Sequence, residues 1–493
     1  MKKILTLLLI LSVLLSIVSC AATQSTGENG DSSAKNGDDT SLRYDPNGML
    51  MDNLPADLDF DGEDARFIYP SENLNEFFSE DVGSDIVSQA VYKMNLAVME
   101  RLKVKLKCTT IQGVDSPAVR DSYAATIVNT YTVGDDQWDF VGEHIGAMSS
   151  VILSGAFQNL TSLKYTDFDM PWWMSDLVEN ATVGGKLYLA AGDASISLLK
   201  NTTCLLYNKN VAEDYGIEDL QKLAIRGGFT KEKLLQYTLL AHSSLDSKPD
   251  ISRDTFGFAI LNDNHVEAFK AAFNYPILKK NNGGEYEFNY DCQRASDACS
   301  WLVDFTNSND SVYISRNTAD VNAAKNAFRE DRLLFVTATF SFAVDVFKDI
   351  NGSFNVLPLP KWSEGENYST LPRGIYIAFG VMRLTNNAEM AGAVLEAFAS
   401  EGYRKVTPVY FEDALKIKYT DATNETAAVF DIIRNSVSFD FGYTFSYSFG
   451  FDAAIKTAIY NNLPYWTSMV NSGKKAFMSK YDSFFETLSN LEA

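Results

Sequence analysis

The sequence predicts an α/β protein, and three observations bear on that class and on its division. Between residues 66 and 142, short apolar or alternating runs take turns with stretches of helical periodicity. Strand, helix, strand, helix, strand in that order implies a parallel sheet. Further apolar runs at 204–207 and 332–337 flank a helix-rich span over 231–328. The 493 residues allow two or three domains of about 150 residues each, or two lobes sharing one chain, and 46% hydrophobic content supplies a large core.

Residues 1–20 read as a leader. Lys2 and Lys3 precede a run at 4–18 that is apolar except for Thr6, Ser12 and Ser16, and Ser19 then precedes Cys20. Charge, apolar run and small residue in that order make a secretory signal. The run is shorter than the roughly 20 residues of a membrane-spanning helix. A cysteine directly after the small residue resembles the lipobox of bacterial lipoproteins. That resemblance implies cleavage after residue 19, lipidation of Cys20 and attachment to the cell membrane outside the cytoplasm. A plain cleaved signal or a short anchor is the alternative. Residues 21–39 hold no large apolar side chain, too little to bury on folding. Residues 20–60 are therefore expected to be a flexible spacer.

Order is expected from Ala65. Residues 66–69 make a short, largely apolar strand. Val87, Val91, Met94, Val98 and Leu102 recur at three- and four-residue steps, so 85–102 is an amphipathic helix. Residues 104–108 alternate strictly and form a strand, Tyr123, Ile127 and Tyr131 share a helical stripe over 121–131, and 137–142 is the next strand. Gly184 and Gly185 turn into a strand ending at Leu189, residues 204–207 make another, and Asn208 opens a helix. Further strands are expected at 332–337, 354–360 and 374–382, with helices at 388–400, 453–460 and 474–491.

Charge and cysteine usage exclude several function classes. A net charge of -22 repels phosphate backbones, so nucleic acid is not an expected partner. The acidity by itself serves solubility. Beyond Cys20, the cysteines Cys108, Cys204, Cys292 and Cys299 are too few and scattered for a disulfide framework. Cys292 and Cys299 lie two helical turns apart, about 10.5 Å of rise against a bridging limit of about 7 Å. Free thiols are expected. The three histidines, His144, His242 and His265, show no paired spacing, so no metal site is expected. No nucleophile elbow, metal motif or phosphate-cradling loop is present. An aromatic content of 13% suits a polar ligand with apolar faces.

Several stretches in order resemble a known family. They are 85–95 with Val98-Met-Glu-Arg-Leu-Lys-Val-Lys105, then Trp138-Asp-Phe-Val141, then Pro171-Trp-Trp173 with Gly184-Gly-Lys-Leu-Tyr188 and Leu206-Tyr-Asn-Lys209. Val356-Leu-Pro-Leu-Pro-Lys361, Ala393-Val-Leu-Glu-Ala-Phe398 and Thr407-Pro-Val-Tyr410 follow. No one of them is specific; the ordered set, across most of residues 65–490, is similar to the sugar-binding family 1 of extracellular solute-binding proteins of ABC importers, with a maltose-binding-protein-like architecture. The resemblance implies the type II periplasmic-binding-protein fold: two α/β lobes, a cleft between them, and crossing segments, expected near 188–191, 371–373 and 400–408. Lobe I is expected to take 61–190 plus 372–405, and lobe II 191–371 plus 406–493.

The resemblance also suggests cleft residues. Glu143 and His144 follow the strand of Trp138, where sugar contacts are found in the family; a solvated loop pair is the competing reading. Phe340 stands where the family carries a stacking Trp, and it or Phe342 is equally a core residue. Asp193 sits just past one expected crossing. Arg373 and Tyr376 lie on another, where Arg373 offers a fork to hydroxyls or an acidic substituent or serves the hinge. Residues 439–449 are the densest aromatic run, and strand alternation would put Tyr443, Phe445 and Tyr447 on one face; lobe packing is the competing reading. Trp172 and Trp173 are expected to pack a helix start.

The function expected from this set is a lipid-anchored binding protein, monomeric and without a cofactor. It would capture a carbohydrate, first of all an oligosaccharide, by lobe closure and hand it to permease subunits in the membrane. A peptide- or polyamine-binding protein on the same fold and a secreted glycoside hydrolase are the alternatives.

Overall fold

The computed structural model describes residues 43–346, 354–411, 424–451 and 453–491, the side chains of 344–346 and 447–448 excepted. Cys20, the leader and the first part of the expected spacer lie outside the described residues. Among the described residues no helix is long and apolar enough to cross a membrane.

Among the described residues, packed structure is present from Arg43, ahead of the expected Ala65. Arg43–Tyr44 pairs antiparallel with Leu50–Met51. Asp52 is buried and takes two guanidinium N–H groups of Arg101 at 2.6 and 2.7 Å, while its own N–H donates to Ser400 Oγ at 3.1 Å. One buried carboxylate thus pins a polar segment that carries no periodicity signal of its own.

The first lobe is built on a four-stranded sheet in the order Ile377–Val381, Phe140–His144, Asp64–Pro70, Lys105–Ile111. The last three are mutually parallel, and Ile377–Val381 runs antiparallel on the edge. The helix Ile86–Leu102 starts where Asp85 accepts from the N–H groups of Val87 and Ser88, and it stops at Lys103, in the left-handed conformation. The helix Pro117–Thr132 starts at a Ser116 cap with proline in its first turn. Phe67, Phe77 and Phe140 fill the core beneath. The helix Ala388–Glu401 is buried along nearly its whole length, which its small side chains permit.

The second lobe carries a five-stranded sheet in the order Val312–Ile314, Phe256–Ile260, Leu333–Thr339, Thr203–Asn208, Phe354–Leu357. The first three strands are parallel, and Thr203–Asn208 is antiparallel to both of its neighbours. The C-terminal helix Trp466–Asn490 closes this lobe; its Trp466 indole donates to the Tyr290 carbonyl at 2.8 Å.

The chain passes between the sheets along adjacent segments. Ala190 bridges Phe379 on the first sheet, and Thr202 bridges Pro372 just before the second sheet begins. The return path lies alongside: the Arg373 N–H donates to the Asn201 carbonyl at 2.9 Å, and the Ile377 N–H to Ser197 Oγ at 2.7 Å. A further passage continues Glu401 through a π-helical turn, Gly402–Val406. A Cβ on Gly402 would meet the Asp193 carbonyl oxygen at 1.9 Å, so only glycine lets this turn close on the outgoing segment.

Three readings of the sequence need correction. The strand expected to end at Leu189 is not formed; Lys186 and Ala190 make only isolated bridges, to Val183 and Phe379. The strand expected at 137–142 runs Phe140–His144, so Glu143 and His144 end a strand and do not follow one. The aromatic run is two helical turns, Phe441–Thr444 and Ser446–Phe449. Alternation therefore fails there: Phe445 is buried against Phe441 and Phe484 while Tyr443 faces elsewhere. The described cysteines are free.

Candidate functional site

Ligands of open α/β sheets bind in the crevice at the carboxyl ends of the strands. Both lobes direct such ends at one cavity of about 250 Å³. From the first lobe come Arg120 and Asp121, in the first turns of the helix after Lys105–Ile111, and His144, Gly146 and Ala147 at the end of Phe140–His144. From the second lobe come Asn264 and Glu267, in the turn after Phe256–Ile260, and Lys456. The return segment contributes Arg373, Gly374 and Ile375 between them, and the first aromatic turn contributes Tyr443.

His144 is held by its own turn. Its Nδ1 accepts from the Gly146 N–H at 3.2 Å, which puts the hydrogen of the neutral ring on Nε2. Nε2 is buried and has no hydrogen-bond partner among the described residues. Burial, and then the charges of Arg120 and Arg373, push the pKa down to about 3. At neutral pH the ring is an uncharged N–H donor in the cavity wall.

Arg373 is half-buried, and its guanidinium makes no hydrogen bond or ion pair with any described residue. Burial lowers its pKa, opposed by Tyr443 and Asp263; an arginine stays charged all the same. Arg120 donates to the Val114 carbonyl at 3.0 Å, and Lys456 Nζ lies 3.0 Å from Asn264 Oδ1 and 3.9 Å from Asp263. Glu267 is neutralised by a fully buried ion pair with Lys270. Lys270 Nζ lies 4.6 Å from the ring centroid of Tyr443, whose hydroxyl accepts from the Gly374 N–H at 3.4 Å. Among the described residues no group of acids, histidines and cysteines has the arrangement of a metal site.

Of the residues expected from the sequence, His144, Arg373 and Tyr443 meet at this cavity. Glu143 lies behind it, fully buried, with neither carboxyl oxygen bonded among the described residues. Burial raises its pKa well above the usual range, with Arg120 opposing. Phe340 is fully buried between Phe411 and Phe430. Tyr376 is buried, and its carbonyl accepts from the Ile145 N–H at 3.0 Å, which sets the turn that carries His144. Asp193 belongs to a neighbouring pocket, where it accepts from Thr407 Oγ1 and from Arg434, each at 2.7 Å. The Tyr447 side chain lies outside the described residues. Trp172 and Trp173 both donate their indole N–H to Glu396, each at 2.9 Å.

Arg120, Asn264, Glu267 and Lys456 were not anticipated. The signal for the first three was available: each lies shortly after a parallel strand, where the strand-end rule places ligand contacts.

Neither a family model nor a curated protein matches the sequence. Solved structures do. UgpB of Mycobacterium tuberculosis, in complex with glycerophosphocholine, is similar with a TM-score of 0.57 at 13% identity, over 85% of this chain and 98% of that one. The chain has the fold of the two-lobed substrate-binding proteins. The cyclic α-maltosyl-1,6-maltose binding protein of Arthrobacter globiformis shows the same fold, with a TM-score of 0.56 at 12% identity over 85% of this chain and 98% of that one. So does an ABC substrate-binding protein of Listeria monocytogenes in complex with cycloalternan, with a TM-score of 0.50 at 15% identity over 87% and 100%. In the substrate-binding fold of this chain, the cavity of Arg373 is the crevice between the lobes.

Proposed function

We propose that the chain is the substrate-binding component of an ABC importer, held outside the cytoplasm by a lipid on Cys20. It captures a carbohydrate as the lobes close and delivers it to permease subunits, acting as a monomer. In this reading lobe I is 61–190 with 372–405 and lobe II is 191–371 with 406–493. The observation that carries the reading is the cavity itself, built from strand ends of both lobes, with Arg373 on the segment that crosses between them. A ligand there touches both lobes and so favours the closed arrangement by its differential affinity. His144, Arg373 and Tyr443 contact the ligand; Glu143, Phe340, Tyr376 and Asp193 hold the surrounding frame. Two of the similar structures support a saccharide by name or bound ligand.

The alternatives fare less well on the lining. Arg120, Arg373 and Lys456 repel a polyamine. A glycoside hydrolase needs two carboxyl groups flanking the scissile bond, and the two acids of the described lining are Asp121 and Glu267, the latter tied to Lys270. Calorimetry of the full chain with mono- and oligosaccharides, peptides and polyamines tests the reading. Saccharide binding at micromolar affinity or better, with the sugar recovered intact, is expected. Binding confined to peptide or polyamine, or release of sugar fragments, overturns it.

A further inference from the structure

This inference rests on the carbohydrate-receptor reading and narrows its substrate class. We propose that the captured sugar carries an acidic oxyanion group, a carboxylate, a sulfate or a phosphate, which seats on the Arg373 guanidinium beside Arg120 and the His144 N–H.

Three observations converge on this assignment. First, the protein as a whole carries a charge of -22, yet its inter-lobe cavity gathers Arg120, Arg373 and Lys456. Against them stand Asp121, Glu267 and, 3.9 Å from Lys456, Asp263; Lys270 cancels Glu267. A local cationic well in an acidic protein overcomes the long-range repulsion of an anion and focuses it into the crevice. Second, the Arg373 guanidinium presents its donors to no described residue. A desolvated guanidinium costs free energy unless it is paired, and its planar fork matches a carboxylate, sulfate or phosphate with two parallel hydrogen bonds. Elsewhere in the same hinge region an arginine is paired: Arg434 meets Asp193 at 2.7 Å. Third, His144 offers a buried, unpartnered Nε2 at the same wall, and both Arg120 and Arg373 act on it electrostatically. A neutral ring beside two cations serves as a donor to a negatively charged oxygen and accepts nothing on that side.

The aromatic supply agrees with this division of labour. Tyr443 is the aromatic ring of the described lining, and Lys270 lies over it. Stacking area for a neutral sugar is therefore small, and charge-assisted hydrogen bonds supply more of the affinity. A cavity of about 250 Å³ suits a short saccharide or the acidic terminus of a longer one.

The test is calorimetry of the full chain with matched pairs: a glucuronate-terminated disaccharide against its neutral glucose counterpart, a sulfated sugar and a sugar phosphate, each with wild type, Arg373→Gln and Arg373→Lys. Thermal melts establish that the variants fold, and Arg120→Gln is the second variant if Arg373→Gln does not. At least a tenfold preference for one acidic sugar is expected. It should collapse in Arg373→Gln, recover in part in Arg373→Lys, and weaken with added salt. Which acidic arm binds distinguishes carboxylate, sulfate and phosphate. Equal affinity for neutral and acidic sugars, unaffected by Arg373→Gln, overturns the acidic-substrate assignment and leaves the receptor reading standing. Binding of glycerol 3-phosphate and of no saccharide keeps the oxyanion seat and overturns the carbohydrate reading. Silence toward every probe overturns both.

Discussion

Two pockets flank the segments that join the lobes, and each holds an arginine. In one, Arg434 meets Asp193 at 2.7 Å, and Thr407 Oγ1 satisfies the other carboxylate oxygen. In the other, Arg373 reaches the cavity with its guanidinium unbonded among the described residues. The two differ in partner supply, and their consequences differ accordingly. A charge paired with a carboxylate of its own chain holds the frame together. A charge left with donors to offer costs free energy in the fold, a cost that a ligand offsets. A second pair in the first lobe repeats the contrast. Glu396 accepts from two indoles and from the Asp167 N–H, whereas Glu143, equally buried, has no bonded oxygen among the described residues.

The comparison is open to attack at four points. The largest effect is expected from Asp193→Ala, which leaves Arg434 and Thr407 without their acceptor. Breaking a largely buried pair of this kind costs roughly 3 kcal/mol, and a urea midpoint shift reads it. Ligand affinity of the folded variant should stay within about twofold, a difference of roughly 0.4 kcal/mol. A loss of affinity without a loss of stability would make Asp193 a ligand contact and reverse the contrast.

Next comes acid. The pKa of His144 is lowered in the folded protein to about 3 from 6.5. The unfolded chain therefore binds the proton first, and the stability contributed by this residue is lost as pH falls from 6.5 toward 3. Wild type minus His144→Gln, followed by urea melts, should fall by on the order of 2 kcal/mol between neutrality and pH 5. A flat difference would mean that the ring is open to water.

Arg373→Gln should do the opposite of Asp193→Ala. Stability is expected to hold or rise slightly, because an unpaired charge is removed, while ligand affinity falls at least tenfold, about 1.4 kcal/mol. Parallel melts and titrations separate the two. Destabilisation would expose a structural partner for Arg373.

The smallest effect is expected at Glu143. Burial raises the pKa of its carboxyl well above the usual range, so Glu143→Gln, which keeps the shape of the neutral acid, should change stability by less than about 1 kcal/mol. A large loss would show that the carboxylate form matters.

Periodicity and strand alternation were enough to read an α/β protein and most of its elements, because those patterns arise from local geometry and burial on one face; the two-lobed fold was read through the family resemblance. The crossing segments near 188–191 and 371–373 were expected from the family resemblance, and the bridges of Ala190 with Phe379 and of Thr202 with Pro372 lie there. The cleft was legible only in part. His144 and Arg373 were singled out through the resemblance, but Arg120 precedes the helix read at 121–131, and Lys456 comes from a distant helix. Residues 43–60 were read as spacer because their anchoring depends on Asp52 meeting Arg101 and Ser400 across the chain.

The sequence by itself determined the leader pattern, the order of strands and helices, the lack of disulfide spacing and the acidic surface. Each of these is a property of neighbours along the chain. Only the tertiary structure decided which charges are paired. Asp193 and Arg434 are far apart in sequence and meet in the fold, Trp172 and Trp173 close on Glu396, and Phe340 turns into the core. Pairing is settled by side chains that converge from distant segments, and burial then sets how much an unpaired group costs. For that reason the chain reveals its elements from local pattern, while only the fold shows that the Arg373 guanidinium stands unbonded among the described residues.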